Sequence, residues 1–433
     1  MTVSVPSVPS AHRRTHSIDR AFLSLERTHP DVRWDTGGVA YLSGRPPEFA
    51  DFRAYVGMRM AQLPMFASRV DGRPRRSTWR PDADYCIDRH VHETVADGPG
   101  GWDSAMDTAL NAPFTAGTRW GIWLVHGHTP DAYAVCYRFD HACQDGSAAA
   151  LAFRSLLGAG APSARPVPRA GRRAGLPGRV GRALGLAVKF GYDAFAVRDR
   201  GSAAPFVPVG DRQLLRGRVP LATLRRIATA HGGSAHDVHL AALSGLLAAW
   251  SAESGTPLPW VSALLPVDGR RHDEEQTWGN RCFAMPMELP VHSLGPGDTP
   301  GGDSPLRRLE RVRAATVKLR GERWRQAIQD MVRFMPDAPT EWYMRRVISP
   351  RVTNIMATSM PLAEEGSLGA TRVTGSALLP LLLPGHLFAV GLSFFGTWAE
   401  VSFLTDRALP LADRLPVLWE EAVDALAGAH APE

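Results

Sequence analysis

Seven consecutive residues, Asp140-His141-Ala142-Cys143-Gln144-Asp145-Gly146, place an imidazole, a thiol and two carboxylates on one short segment. The segment follows a β-rich run, Tyr133–Phe139, and precedes a stretch with helical character, 148–157. A histidine at a strand end suits general-base chemistry: its pKa lies near neutrality, and a rigid strand aims the ring. Asp145, four residues on, can anchor the turn through an ion pair. Gly146 permits a backbone geometry that bulkier residues would resist. An HxxxDG pattern should arise by chance roughly 0.1 times in a chain of this composition, so the motif alone leaves two readings open. One is a catalytic base, the other a histidine filling a polar corner of a turn. Cys143 invites a Cys–His nucleophile reading, against the simpler one of a small apolar loop residue.

The elements around the motif mix strands and helices in both halves of the chain. Trp120–His126 and Tyr133–Phe139 read as adjacent strands joined by a Gly/Pro/Asp loop. Ser234 is a plausible cap for a helix running through Trp250, with Val238, Ala241, Ala242, Gly245 and Leu246 on one apolar stripe. Trp260–Val267 reads as a buried strand. Leu387–Phe395 and Glu400–Leu404 read as a hairpin around Gly396-Thr397, and the last helix is expected to begin near Pro410. The reading is α+β in two halves. Residues 158–181 are crowded with Gly, Pro and Arg and read as a linker. The expected divisions are 12–160, a linker and crossover helix over 161–204, and 205–433.

Composition narrows the function classes. The chain has 433 residues, 44% of them hydrophobic and 21% charged, which is ordinary globular composition. Its net charge is +6, but residues 165–200 hold nine basic side chains against two acids, so that one segment carries the whole excess. Within it residues 182–197 regain helical apolar spacing, either as a crossover helix packed on the body or as a basic element touching an anionic membrane surface. No basic stripe interleaved with aromatics is visible, so nucleic acid is not an expected partner. The four cysteines lie far apart with no CxxC pair, which excludes a disulfide framework and a cysteine zinc site. His90/His92 and His126/His128 have strand spacing but lack further ligands, so no metal is expected. His236 and His239 fall one turn apart on the Ser234 helix, as a polar edge or channel wall. No phosphate-binding glycine loop occurs. The amino-terminal residues contain no apolar signal core, and the most apolar stretch, 376–392, is broken by prolines and a glycine; a cytoplasmic protein is expected, with peripheral membrane contact through 165–200 left open.

The chain resembles the bacterial wax ester synthase/diacylglycerol acyltransferase family, whose active-site motif is HHxxxDG, within a superfamily that includes peptide-synthetase condensation domains and chloramphenicol acetyltransferase. The resemblance rests on more than the motif. Residues 17–23 are similar to the family's opening segment ending D-x-x-F/L, and Leu63-Pro64-Met65-Phe66-Ala67-Ser68-Arg69 to its L-P-x-F-R-x-R stretch. Ala235-His236-Asp237-Val238-His239-Leu240-Ala241 is similar to its N-D-V-x-L-A helix. Leu265-Pro266-Val267, followed by Gly279-Asn280-Arg281, resembles its P-V-S-x-R … G-N-R region. The matches run in family order from residue 17 toward the C-terminus.

This resemblance implies two chloramphenicol-acetyltransferase-like halves, each a two-layer α/β sandwich, with an active-site tunnel between them. It implies that His141 is the catalytic base. The donor would be an acyl-CoA or an acyl carrier protein thioester and the acceptor an alcohol, with no further cofactor. Asp145 would be structural, with Arg281 the expected partner of its carboxylate; Asn280 and Asp237 would line the tunnel or stand behind it. Amide formation on an amine acceptor uses the same base chemistry. The departures from the pattern also matter. Asp140 stands where the family has its first histidine, and Thr118-Arg119-Trp120 where it has P-L-W; His236 replaces the asparagine of N-D-V, and Thr358-Ser359-Met360-Pro361-Leu362 replaces S-N-V-P-G-P. They point to a specialised donor or acceptor, or to a protein that keeps the fold as a binding module without catalysis.

Overall fold

The computed structural model describes residues 13–158, 206–271, 279–291, 304–362 and 366–429. The linker and crossover helix expected over 161–204, and the whole basic segment 165–200 with them, lie outside the described residues.

Fifteen strands are described: β1 Arg13–Arg14, β2 Asp35–Ser43, β3 Ser68–Asp71, β4 Thr78–Pro81, β5 Val91–Val95, β6 Trp120–Thr129, β7 Ala132–Asp140, β8 Arg212–Pro220, β9 Val261–Asp268, β10 Cys282–Leu289, β11 Ile355–Ser359, β12 Ser367–Leu368, β13 Thr371–Leu379, β14 Phe388–Phe395 and β15 Trp398–Asp406. They form two six-stranded sheets. The first has the order β12-β13-β2-β7-β6-β5 and the second β10-β9-β11-β14-β15-β8. A small sheet, β1-β4-β3, stands apart.

The first sheet explains why the motif loop is rigid. β7 lies between β2 and β6, antiparallel to both. Residues 133–139 are all buried, which is why the run reads as unbroken apolar and β-branched sequence rather than alternating. The charged exception, Arg138, is matched by Asp35: its Nε donates to Oδ2 at 2.7 Å, and Arg212 of β8 donates to Oδ1 at 2.9 Å. That buried triad ties the first sheet to the first strand of the second.

β12 and β13 come from late in the chain yet extend the first sheet beside β2. β13 also bonds the second sheet, with Ser402 Oγ donating to the Leu378 carbonyl at 2.7 Å. A hydrophobic cluster then fills the junction of the sheets. Phe22, Trp34, Ala142, Leu264, Phe283 and Val347 belong to it, drawn from the opening helix, the segment before β2, the motif loop, the second sheet and the helix Asp337–Val347. Each large apolar side chain so buried contributes roughly 1.5–3 kcal/mol.

Most elements read from the sequence stand within a residue or two. The Ser234 cap is part of a full capping box on a helix over Ala235–Ser254, and the β14–β15 hairpin turns at Gly396, with φ +55°. The last helix begins at Arg414, not near Pro410. Leu411 has φ +50°, a left-handed conformation that a right-handed helix cannot contain, so 410–413 form a turn instead.

Candidate active site

His141 follows the last residue of β7. Its backbone N–H donates to the Trp34 carbonyl at 2.8 Å, and the Ala142 N–H to Asp140 Oδ1 at 2.8 Å. Asp145 then caps the Gly146–Leu156 helix by accepting from the Ala148 N–H at 3.1 Å. The loop is thus pinned at its start, middle and end.

The imidazole faces the second sheet. His141 Nδ1 lies 3.1 Å from Asn280 Oδ1. The sense of that amide follows from its other contacts, because Asn280 Nδ2 donates to Asp19 Oδ1 at 2.9 Å and to the His141 carbonyl at 2.8 Å. Oδ1 is therefore the atom left to meet the ring, and an oxygen opposite Nδ1 requires Nδ1 to carry the proton. The neutral ring then has its lone pair on Nε2. Phe22 stacks on the ring with centroids 4.3 Å apart and an interplanar angle of 21°. Burial lowers the His141 pKa below the ordinary histidine value, against opposing pulls from its own carbonyl, Asp145, Asp140 and Asn280. The ring is neutral at neutral pH, as a general base must be.

Asp19 supports this arrangement from behind. It is 2% exposed and accepts from the Asn280 N–H and Nδ2 and from the His16 N–H. Burial raises its pKa, opposed by these bonds and by the charge of Arg281. The same carboxylate completes the capping box of the Ser17–Thr28 helix, so the residue that orients Asn280 sits in the first turn of the helix that delivers Phe22. Gly279, at φ +84°, makes the turn that presents Asn280.

Asp145 is 1% exposed and lies in a buried ion pair, but its partner is not the side chain expected from the sequence. Arg270 Nη1 donates to Asp145 Oδ2 at 2.7 Å, while Arg281 reaches that oxygen through its backbone N–H, also at 2.7 Å. Arg270 continues to the Gly279 carbonyl at 2.9 Å. The pair thus joins the motif loop to the turn that carries Asn280. Arg270 was legible in principle: it holds the arginine position of P-V-S-x-R, read through Pro266-Val267-Asp268-Gly269-Arg270.

Asp140 does not bond the imidazole. Its Oδ2 accepts from Arg119 Nη1, which also meets Glu26 Oε2 at 3.0 Å. The Glu26 carboxyl is held up to about 8, by burial first and then by the charge of Asp140. Gly146 has an ordinary backbone rather than the unusual one expected, and a Cβ there would stand 2.8 Å from Met360 Sδ, so a larger residue would displace that flexible side chain. Asp237 is fully buried in the capping box of its helix, where it accepts from Ser234 and from Thr316 Oγ1 at 2.6 Å. Burial holds the Cys143 thiol well above its ordinary pKa, which disfavours the thiolate a nucleophile needs. His90 stacks on Trp120 with centroids 3.9 Å apart and its pKa is lowered to about 4 by burial, His126 meets Glu93 at 2.9 Å, and His239 Nδ1 accepts from Trp419 Nε1 at 3.1 Å. Among the described residues no cluster of ligands suited to a metal ion occurs, and no helix is long and apolar enough to cross a membrane.

No family model matches the chain. A Mycobacterium tuberculosis protein provisionally named a diacylglycerol O-acyltransferase is 25% identical over 429 residues, spanning 87% of this chain and 83% of its own. The wax ester synthase/diacylglycerol acyltransferase of Marinobacter aquaeolei VT8 superposes with a TM-score of 0.64 at 15% identity, over 96% of this chain and all of that one. The starter condensation domain of rhizomide synthetase, solved with C8-CoA, gives 0.61 at 15% identity, over 98% and 96%. The fold is accordingly that of paired chloramphenicol-acetyltransferase-like α/β halves.

Proposed function

We propose that this chain, which belongs to the wax ester synthase/diacylglycerol acyltransferase family, moves an acyl group from an acyl thioester to an alcohol. The carrying observation is the His141 imidazole, neutral and with its Nδ1 proton committed to Asn280 Oδ1, which leaves Nε2 as an open base. In the reaction Nε2 takes the acceptor's hydroxyl proton as its oxygen attacks the thioester carbonyl. The carbon–sulfur bond then breaks, and the imidazolium returns the proton to the leaving sulfur. Ester and free thiol result, with no covalent acyl-enzyme. Positioned base catalysis supplies ~10²–10⁴-fold, and holding both substrates together away from water supplies further acceleration.

Asp145, Arg270 and Asn280 serve to position this ring, and acyl and acceptor would approach it along the junction of the two sheets. Residues 12–160 and 205–433 would form the two subdomains, with 367–379 lent to the first sheet. The donor is acyl-CoA, with a carrier-bound thioester as the finer alternative; the name of the Mycobacterium relative favours a glyceride acceptor, and contact of the basic 165–200 segment with a membrane would bring such an acceptor near. Purified protein incubated with acyl-CoAs and alcohols or amines should release thiol, and mass spectrometry of the product separates ester from amide. His141→Ala should lower turnover ~10²–10⁴-fold with folding intact. Wild-type turnover in that variant would refute the assignment.

A further inference from the structure

Beside the Ser17–Thr28 helix runs a trough with unbalanced positive charge. Its inner part is a cavity of about 380 Å³ whose lining includes Leu23, Glu26, Arg27, Pro74 and Arg119. Its outer part is a cavity of about 430 Å³ whose lining includes Arg20, Arg27, Arg73, Pro74, Arg75 and Arg76. The two share Arg27 and Pro74. The inner end therefore lies at Arg119, which bonds the Asp140 carboxylate next to His141. The outer end lies at the short turn Pro74–Arg76.

The carboxylates that line the outer cavity are already engaged. Asp337 pairs with Arg20 at 2.5 Å, and Glu341 accepts from Ser24 at 2.6 Å and from Arg345 at 3.0 Å. Among the described residues no carboxylate stands within ion-pair distance of Arg27, Arg73, Arg75 or Arg76, and all four are exposed. A merely solvated surface intersperses its arginines with acids; here three of them fall within four residues around one concavity. Planar guanidiniums on a concave wall match phosphate oxygens, which they bind through paired, charge-assisted hydrogen bonds.

We propose that this trough holds the phosphates of a coenzyme A thioester, with the pantetheine arm passing along the inner cavity toward His141. The proposal rests on the acyltransferase reading and gives its donor a place. The nucleotide's 3′-phosphate and pyrophosphate carry about four negative charges, which four open guanidiniums can meet. A carrier protein would bring to the same trough the single charge of a phosphodiester and leave most of these arginines unanswered.

The test compares wild type with Arg73→Glu/Arg76→Glu, both positions exposed, after thermal unfolding has shown the same fold. Three measurements are made: kcat and KM with acyl-CoA, the same with the acyl N-acetylcysteamine thioester, and calorimetric binding of adenosine 3′,5′-bisphosphate. The expected result is a KM for acyl-CoA raised roughly 10- to 100-fold with kcat within about twofold, no change for the truncated donor, and loss of bisphosphate binding. In wild type, KM for acyl-CoA should also rise with salt. Equal effects on both donors, unaltered bisphosphate binding in the variant, or an effect confined to a carrier-protein thioester would each overturn the site. If wild type binds the bisphosphate and the variant does not, yet no thioester is consumed, the acyltransferase reading fails and the site stands. If acyl-CoA is consumed with the same KM by both proteins, the site fails and the reading stands.

Discussion

Replacing Asn280 by alanine tests the feature that, on the proposed reading, would make His141 a base. In the native site Asn280 Oδ1 accepts from Nδ1 at 3.1 Å while its Nδ2 bonds Asp19 and the His141 carbonyl. As the ring becomes an imidazolium in the transition state, the Nδ1–H bond becomes charge-assisted and contributes about 1.5–3 kcal/mol. At about 1.36 kcal/mol per decade, its loss lowers kcat roughly 10- to 150-fold. The lower end is expected, because the histidine's own carbonyl also favours the charged ring. KM should hold nearly constant, since the lost bond strengthens only in the transition state. Thiol release at saturating donor reads kcat directly. The pH profile gives an independent check. Burial places the native His141 pKa below the ordinary value of about 6.5, and Asn280 opposes that shift. The acid limb of kcat/KM therefore lies below about 6.5 in the native protein and moves further down in Asn280→Ala. For stability, the folded state binds fewer protons than the unfolded one in this window, so stability falls as pH drops from about 6.5 toward the folded pKa. An Asn280→Ala protein with kcat within twofold of native, or an acid limb shifted upward, would refute the argument.

Two further experiments probe the scaffold. Arg270→Ala leaves the Asp145 carboxylate buried without its charge partner, so the free energy of unfolding should fall by about 3–5 kcal/mol in denaturant titrations, whereas Arg281→Ala, which keeps its backbone N–H, should not abolish that link. Arg119→Leu leaves Asp140 without its cation, and Asp140→His leaves Arg119 with Glu26 alone, so a double-mutant cycle should show coupling of about 1–3 kcal/mol in stability, with the double variant more stable than additivity predicts.

How far the site could be read from the sequence depended on whether a residue's job is local. His141 is legible because a strand end and a capping aspartate announce themselves within seven residues. The β7 run is legible because a strand buried on both faces loses its alternation. Asn280 was singled out through the G-N-R resemblance, but its bond to the ring was not. Asp19 enters the sequence reading only as the aspartate of D-x-x-F/L, with no role at the site, because its carboxylate works 261 positions from the amide it orients, and periodicity carries no record of such a contact. The Arg281 expectation failed for a related reason. Sequence could locate arginines near the Asn280 turn, but only the backbone path decides which one presents a guanidinium to Asp145 and which one a peptide N–H. Leu411 escaped because nothing in its side chain advertises a left-handed backbone.

The two departures nearest the motif bear on whether the site is decayed or rebuilt. A degenerating site accumulates unrelated changes, and a lone carboxylate in place of the first histidine would sit beside the ring, favour the imidazolium and weaken the base. Here Asp140 and Arg119, which replace a histidine and the leucine of P-L-W, are each other's ion-pair partners. The guanidinium takes the aspartate's Oδ2, and the Ala142 N–H takes Oδ1. Both carboxylate oxygens are thus turned to partners other than His141, whose pKa remains lowered by burial. Changes that compensate one another in charge support the proposed role of the ring as a neutral base. They also place a guanidinium, paired with Asp140 and Glu26, on the wall of the inner cavity. On the proposed reading, the paired substitutions would alter what approaches the ring while leaving the ring able to act.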